Sequence, residues 1–159
     1  MKPTASFLTK SAVIAALYAV LTLLSSLFGL SGGVIQFRLS EALCVLPLFT
    51  PAAVPGLFLG CILANLLTGS VFWDTVFGSL ATFFGALGAY LLRNKKPALA
   101  PWPTVLFNTL IIPFVLRFAY GAEGSLPFFA LTVFIGETLT AGVLGNLLAK
   151  TLFRHKIKL

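Results

Sequence analysis

Hydrophobic positions in this chain fall in long, nearly unbroken runs, with neither the alternation of a strand nor the half-stripe of a surface helix. Residues 8–30, 75–93, 102–119 and 128–152 are such runs. Each is near or above the roughly 20 residues an α-helix needs to cross a bilayer. A further apolar stretch, "LSEALCVLPLFTPAAVPGLFLGCILANLLTG" at 39–69, fits one long helix or two short ones. Pro47, Pro51 and Pro55 interrupt it at four-residue spacing, with Gly56 directly after. Each proline removes a backbone donor and crowds the preceding turn, so this spacing predicts a turn between short helices at 39–50 and 53–68.

Basic residues decide the same point independently. With a hairpin at 51–52 the chain crosses six times. Lys2, Lys10, the "RNKK" loop at 93–96 and the tail "KTLFRHKIKL" then share one face, as the positive-inside rule requires. A single crossing would put the loop and the tail on the side opposite the N-terminus. The expectation is an all-α integral membrane protein with one membrane domain over 1–159. It has six transmembrane helices, helices two and three short, and both termini cytoplasmic. Outward loops fall at about 31–38, 69–74 and 120–127. Trp73 and Tyr120 lie near the outer boundary and Trp102 near the inner one, where aromatic side chains anchor.

Composition agrees. Of 159 residues, 58% are hydrophobic and 9% charged, and the mean hydropathy is +1.03. A soluble domain this small has no room for so much apolar surface, so lipid is the expected solvent. The net charge of +7 sits between the apolar runs and at the termini, which speaks for topology and against nucleic-acid binding. The first apolar run follows "MKPTASFLTK" without a small-residue cleavage site, so no cleavable signal is expected. Cys44 and Cys61 lie in apolar segments and read as small buried hydrophobes. His155, the only histidine, belongs to the basic tail. Neither a metal site, a cofactor nor a catalytic residue is expected, and the chain offers no histidine pair and no metal-ligand set, which disfavours an intramembrane enzyme.

Away from the basic face the strongly polar residues are few: Arg38, Glu41, Asn65, Asp74, Asn108, Arg117, Glu123 and Glu137. Ionisable groups at membrane depth are costly and usually line a polar cavity. The stretch "VIQFRLSEAL" at 34–43 puts Arg38 and Glu41 at the outer start of helix two. Asn65 falls near the outer end of helix three and Asp74 at the start of helix four. Counting inward at 1.5 Å per residue puts Glu137 roughly 14 Å and Asn108 roughly 16 Å below the outer surface. The pattern predicts one outward-open pocket, floored by Glu137 and Asn108 and walled by the other four. Simpler roles stand beside this. Arg38 and Glu41, at i and i+3, pair with each other. Asp74 is an N-cap. Asn65 and Asn108 bond between helices, while Arg117 and Glu123 reach the outer interface. Glu137 fits no such role, because a carboxylate at that depth needs a donor or a proton and no lysine or arginine shares its level. In helix one, "SAVIAALYAVL" spaces Ala12 and Ala16, and Ala15 and Ala19, by four, which lets another helix approach closely; packing within the chain is the default explanation.

"VIQFRLSEALCVLPLFTPAAVPGLFLGCILANLLTG", "WDTVFGSLATFFGALGAYLLR", "FNTLIIPFVLRFAYG" and "GETLTAGVLGNLL" together resemble the QueT family of membrane proteins. "QFRLSEAL", "PGLFLGCILAN" and "FGSLAT" are the most specific pieces. Members are substrate-binding S components of energy-coupling factor (ECF) transporters, assigned to uptake of queuosine precursors across the plasma membrane of a prokaryote. The resemblance implies that the chain binds its substrate from outside and hydrolyses nothing. A membrane coupling (T) subunit and two cytoplasmic ATPase subunits supply the drive. It also implies that an alanine motif on helix one, here Ala12–Ala16 or Ala15–Ala19, meets the coupling subunit. For the implied ligand, a deazaguanine base, Glu137 would accept two adjacent N–H groups, and Asn108 and Asn65 would read the remaining ring edge. Asp74 or Glu41 would face an aminomethyl cation, Phe37 or Trp73 would cover the ring, and Arg38 would stand at the mouth. An S component for another vitamin and a self-sufficient small oligomeric transporter or channel remain open as alternatives.

Overall fold

Thr4 begins the fold: its Oγ1 accepts the Phe7 backbone N–H at 3.3 Å, and helix α1 runs Ala5–Leu27. The computed structural model describes residues 4–30 and 37–155. Lys2, the terminal Lys156 and Lys158, and most of the expected 31–38 loop lie outside the described residues. Helix α1 stops at Leu27, short of the expected residue 30, because Gly29 takes a left-handed φ of 68° that ends the last turn.

The segment expected as a short α-helix at 39–50 is instead a 3-10 helix, Leu39–Leu48. Ten residues is long for this geometry. At 2.0 Å per residue it reaches ~20 Å, against ~15 Å for an α-helix of equal length. Residues three apart eclipse one another, so Glu41, Cys44 and Pro47 form one edge, and all three are buried. The hydrophobic pattern cannot separate the two helix types over so short a run. After the proline turn, α2 runs Ala53–Leu67 and stops before Gly69, at φ 71°.

Helix α3 spans Phe72–Leu92, three residues earlier than expected, and a short 3-10 turn, Pro97–Leu99, follows in the basic loop. Helix α4, Trp102–Phe114, passes into a π-helical turn at Val115–Ala119 just after Pro113. The last apolar run is three elements: α5, Leu126–Glu137, a π-helical stretch, Thr138–Gly145, and α6, Asn146–Arg154. Among the described residues there is no strand, and four helical stretches are long and apolar enough to cross a membrane: Ala5–Leu27, Phe72–Leu92, Pro97–Ala119 and Leu126–Arg154. The 3-10 helix and α2 are shorter apolar helices.

Contacts fix the directions. Helices α1 and α2 run parallel, since a Cβ on Gly56 would meet the Ser11 carbonyl at 2.8 Å and one on Gly60 the Ala15 carbonyl at 2.9 Å. The 3-10 helix runs antiparallel to α1, with Ser25 opposite Leu39 and Tyr18 opposite Glu41. Helices α3 and α4 are antiparallel, with Gly85 against Thr104 and Gly78 near Ile112. The chain thus reverses at each connection and gathers Lys10, Lys95, Lys96, Lys150 and Arg154 at one end. The 3-10 helix lies at the centre. Leu43 and Leu46 join Tyr18, Leu57 and Ala64 in one apolar core, and Cys44 and Val45 join Val105, Ala141 and Ala149 in another.

Candidate functional site

Helix α1 turns a polar stripe toward the 3-10 helix. Tyr18, Thr22 and Ser25 recur at i, i+4 and i+7 and are all buried. The Tyr18 hydroxyl donates to Glu41 Oε1, Thr22 Oγ1 lies 2.8 Å from Ser40 Oγ, and the Leu39 N–H donates to Ser25 Oγ at 3.0 Å. Three successive residues of the 3-10 helix are therefore held in register by three α1 side chains. A polar stripe on an otherwise apolar helix is readable from sequence, yet the charge-centred reading passed over it.

At the end opposite the basic residues, Asp74 joins four elements. It sits in the first turn of α3, whose N-cap is Val71, and so is not the cap that the sequence allowed. An anion there still complements the helix dipole. Arg38 lies 3.7 Å from Asp74 Oδ2, the one ion pair among the described residues. The Arg38–Glu41 pairing allowed by their spacing is thus replaced, because Glu41 turns to Tyr18 and Arg38 to the start of α3. Tyr120, between α4 and α5, donates its hydroxyl to Asp74 Oδ2 at 2.8 Å, a bond its role as an interfacial anchor did not predict. Partial burial pushes the Tyr120 phenol above its usual value, so it remains a donor at neutral pH. Asn65 Nδ2 donates to the Asp74 carbonyl at 3.3 Å.

Deeper in, Glu137 closes α5 where the backbone widens into the π-helix. The Asn108 side chain lies against its carboxyl group, and the charges of Glu41 and Arg38 act on it. Glu41, at 2% exposure, Glu137, at 8%, Asn65, Asp74 and Asn108 are all buried. Three of the chain's four acidic residues are therefore inside, and Glu123 alone is exposed. Each inner carboxylate keeps one buried oxygen without a partner among the described residues: Glu41 Oε2, Asp74 Oδ1 and Glu137 Oε2. Buried polar groups are nearly always bonded, so three open carboxylate oxygens call for an explanation.

The other expected residues are placed as follows. Phe37 is half-buried beside Arg38. Trp73, 55% exposed, stacks on Phe77 in an apolar groove of about 540 Å³ between α3 and α4, lined also by Leu110, Phe114 and Phe118. That groove holds none of the carboxylates. Arg117 is exposed and donates to the Ala122 carbonyl at 3.1 Å. On α1 the alanines separate: Ala15 and Ala19 are buried, Ala15 directly against Gly60, whereas Ala12 and Ala16 are exposed.

Four long apolar helices with buried carboxylates and amides between them, and a half-buried guanidinium beside Asp74, define a multi-pass membrane protein with a polar interior. A family model described as "QueT transporter" matches residues 8–154, and the chain belongs to that family. Among curated proteins it is similar to the "Queuosine precursor transporter QueT" of Lactococcus lactis subsp. cremoris (strain MG1363). The two are 39% identical over 87 residues, covering 54% of this chain and 50% of that protein, so the match spans about half the relative's length. No solved structure matches the chain.

Proposed function

We propose that this chain is the substrate-binding membrane subunit of an ECF-type importer for a queuosine precursor, a deazaguanine base. A membrane coupling subunit and two cytoplasmic ATPases would supply the drive. Family membership and the printed name of the Lactococcus relative support the substrate class. The observation that carries the binding role is the buried set of Glu41, Asp74 and Glu137, each with an open acceptor. In a dry interior such acceptors cost stability unless a ligand supplies the donors. The alternating chain direction and the shared basic end support six crossings with both ends cytoplasmic in the plasma membrane of a prokaryote.

In this reading Glu137 accepts the paired N–H edge of the base, as a carboxylate does bidentately, and Asn108 and Asn65 meet the carbonyl and ring nitrogens. Phe37, next to Arg38, is the better placed of the two aromatic candidates to cover the ring, because Trp73 is committed to the outer groove. On α1 the coupling subunit docks on Ala12 and Ala16, since Ala15 and Ala19 are already used inside the chain. Ala12→Leu leaves the purified protein as stable as wild type, within about 0.5 kcal/mol, and abolishes its co-purification with the coupling subunit; unchanged co-purification refutes that face.

Mass spectrometry of the small molecule that copurifies, followed by titration of Glu137→Gln with it, tests the function. A deazaguanine is expected, with affinity at least tenfold weaker in the variant. A different vitamin, or ligand flux through the protein alone in liposomes, overturns the reading.

A further inference from the structure

The partners of the three inner carboxylates differ in kind. Asp74 has Arg38 as counter-charge and Tyr120 as donor. Glu137 has the amide of Asn108, and the reading above assigns it the N–H edge of the base. Glu41 takes one neutral donor, the Tyr18 phenol, on one oxygen, and feels Arg38 only from beyond ion-pair distance. Its other oxygen is buried and open, and no cation lies within ion-pair distance of it among the described residues. One guanidinium thus serves three carboxyl groups, in a site where burial makes unpaired charge expensive.

Two further features make Glu41 a built subsite. Its position is over-determined: the bonds from Tyr18, Thr22 and Ser25 fix residues 39–41, so its open oxygen does not swing away. The helical stretch that continues from Glu137 also packs on the 3-10 helix beside Glu41, with Gly145 against Val45 and the Ala42 carbonyl. A ligand bound at Glu137 therefore has Glu41 in the same neighbourhood.

We infer that Glu41 is an ammonium subsite, so that this site takes a planar base bearing a protonated aminomethyl arm in preference to a neutral relative of the same size. The inference rests on the proposed function and decides among the substituents that reading leaves open. Glu137 recognises what all such bases share; Glu41 recognises the charge that only some carry. Tyr18 is a positioning residue, holding Glu41 without touching the ligand.

Calorimetric titration of the purified full chain with three probes tests this: aminomethyl-deazaguanine, its hydroxymethyl counterpart of nearly equal size, and the nitrile form. Pairing a buried carboxylate with an ammonium instead of a neutral hydroxyl is expected to tighten binding on the order of 100-fold. In Glu41→Gln that preference shrinks below about tenfold. Should Glu41→Gln fail to fold, the aminomethyl-to-hydroxymethyl ratio in the unaltered protein decides alone. Equal affinity for those two probes, or a full preference surviving in a folded Glu41→Gln, overturns the subsite and leaves the proposed function standing. Binding of none of the three overturns the proposed function, and the subsite with it.

Discussion

The two sides of the central 3-10 helix treat polar groups differently. Toward α1 the side-chain hydroxyls are matched: Thr22 with Ser40, Ser25 with the Leu39 amide, Tyr18 with one oxygen of Glu41. Toward the interior, Glu41, Asp74 and Glu137 each keep an open oxygen. Matched buried groups fix a register at little net cost, because each hydrogen bond replaces one to water. Unmatched ones oppose folding, and a sequence this sparing with charge keeps three of them together. The matched side is a hinge pin for the unmatched one.

The largest expected break of that contrast is Gly60→Val. Its Cβ would sit 2.8 Å from Tyr18 Cβ and 2.9 Å from the Ala15 carbonyl, pushing α1 and its polar stripe off the 3-10 helix. Overpacking against backbone costs about 3 kcal/mol, read as a lowered midpoint in thermal unfolding; an unchanged midpoint would show that the helices part easily. Tyr18→Phe comes next. It strips Glu41 of its donor and turns a half-matched carboxylate into an unmatched one, at about 2 kcal/mol. Adding Glu41→Leu recovers most of that loss in the same unfolding assay, because both partners are then apolar; no recovery would mean that Tyr18 matters through packing. Thr22→Val, which removes one bond of the matched side, is expected to cost about 1 kcal/mol. Smallest is Glu137→Gln on the unmatched side. Removing a buried ionisable group that has no ion-pair partner leaves stability unchanged or raised, although ligand affinity falls. A clear loss of stability there would assign Glu137 to the scaffold and remove it from the site.

Much of this molecule is legible along the chain. The start of α2 at Ala53 follows from the proline spacing, and the end of α4's apolar stretch at Ala119 from its length. The burial of Glu41, Asn65, Asp74, Asn108 and Glu137 follows from how few polar residues the apolar runs contain. The pairings were less accessible. Arg38 and Glu41 look like partners at i and i+3, but their side chains leave the 3-10 helix toward different neighbours, Asp74 and Tyr18. Tyr120 and Asp74 are 46 positions apart and meet only because α3 and α4 are antiparallel. Trp73 looks equivalent to Phe37 as a ring cover, yet it turns outward onto Phe77.

By itself the sequence determined the class of protein, the helical runs and their reversals, and the set of residues that must be hidden. The reason is that run length against bilayer thickness, proline chemistry and the cost of burying charge act locally or by composition. Only the tertiary structure decided that residues 39–48 wind as a 3-10 helix, that the chain widens into π-helix after Glu137, and which carboxylate receives which donor. It alone also divided the alanines of α1 into an inner pair and an outer pair. Those outcomes depend on which surfaces meet across the bundle, and a direction in space is not encoded in spacing along one helix.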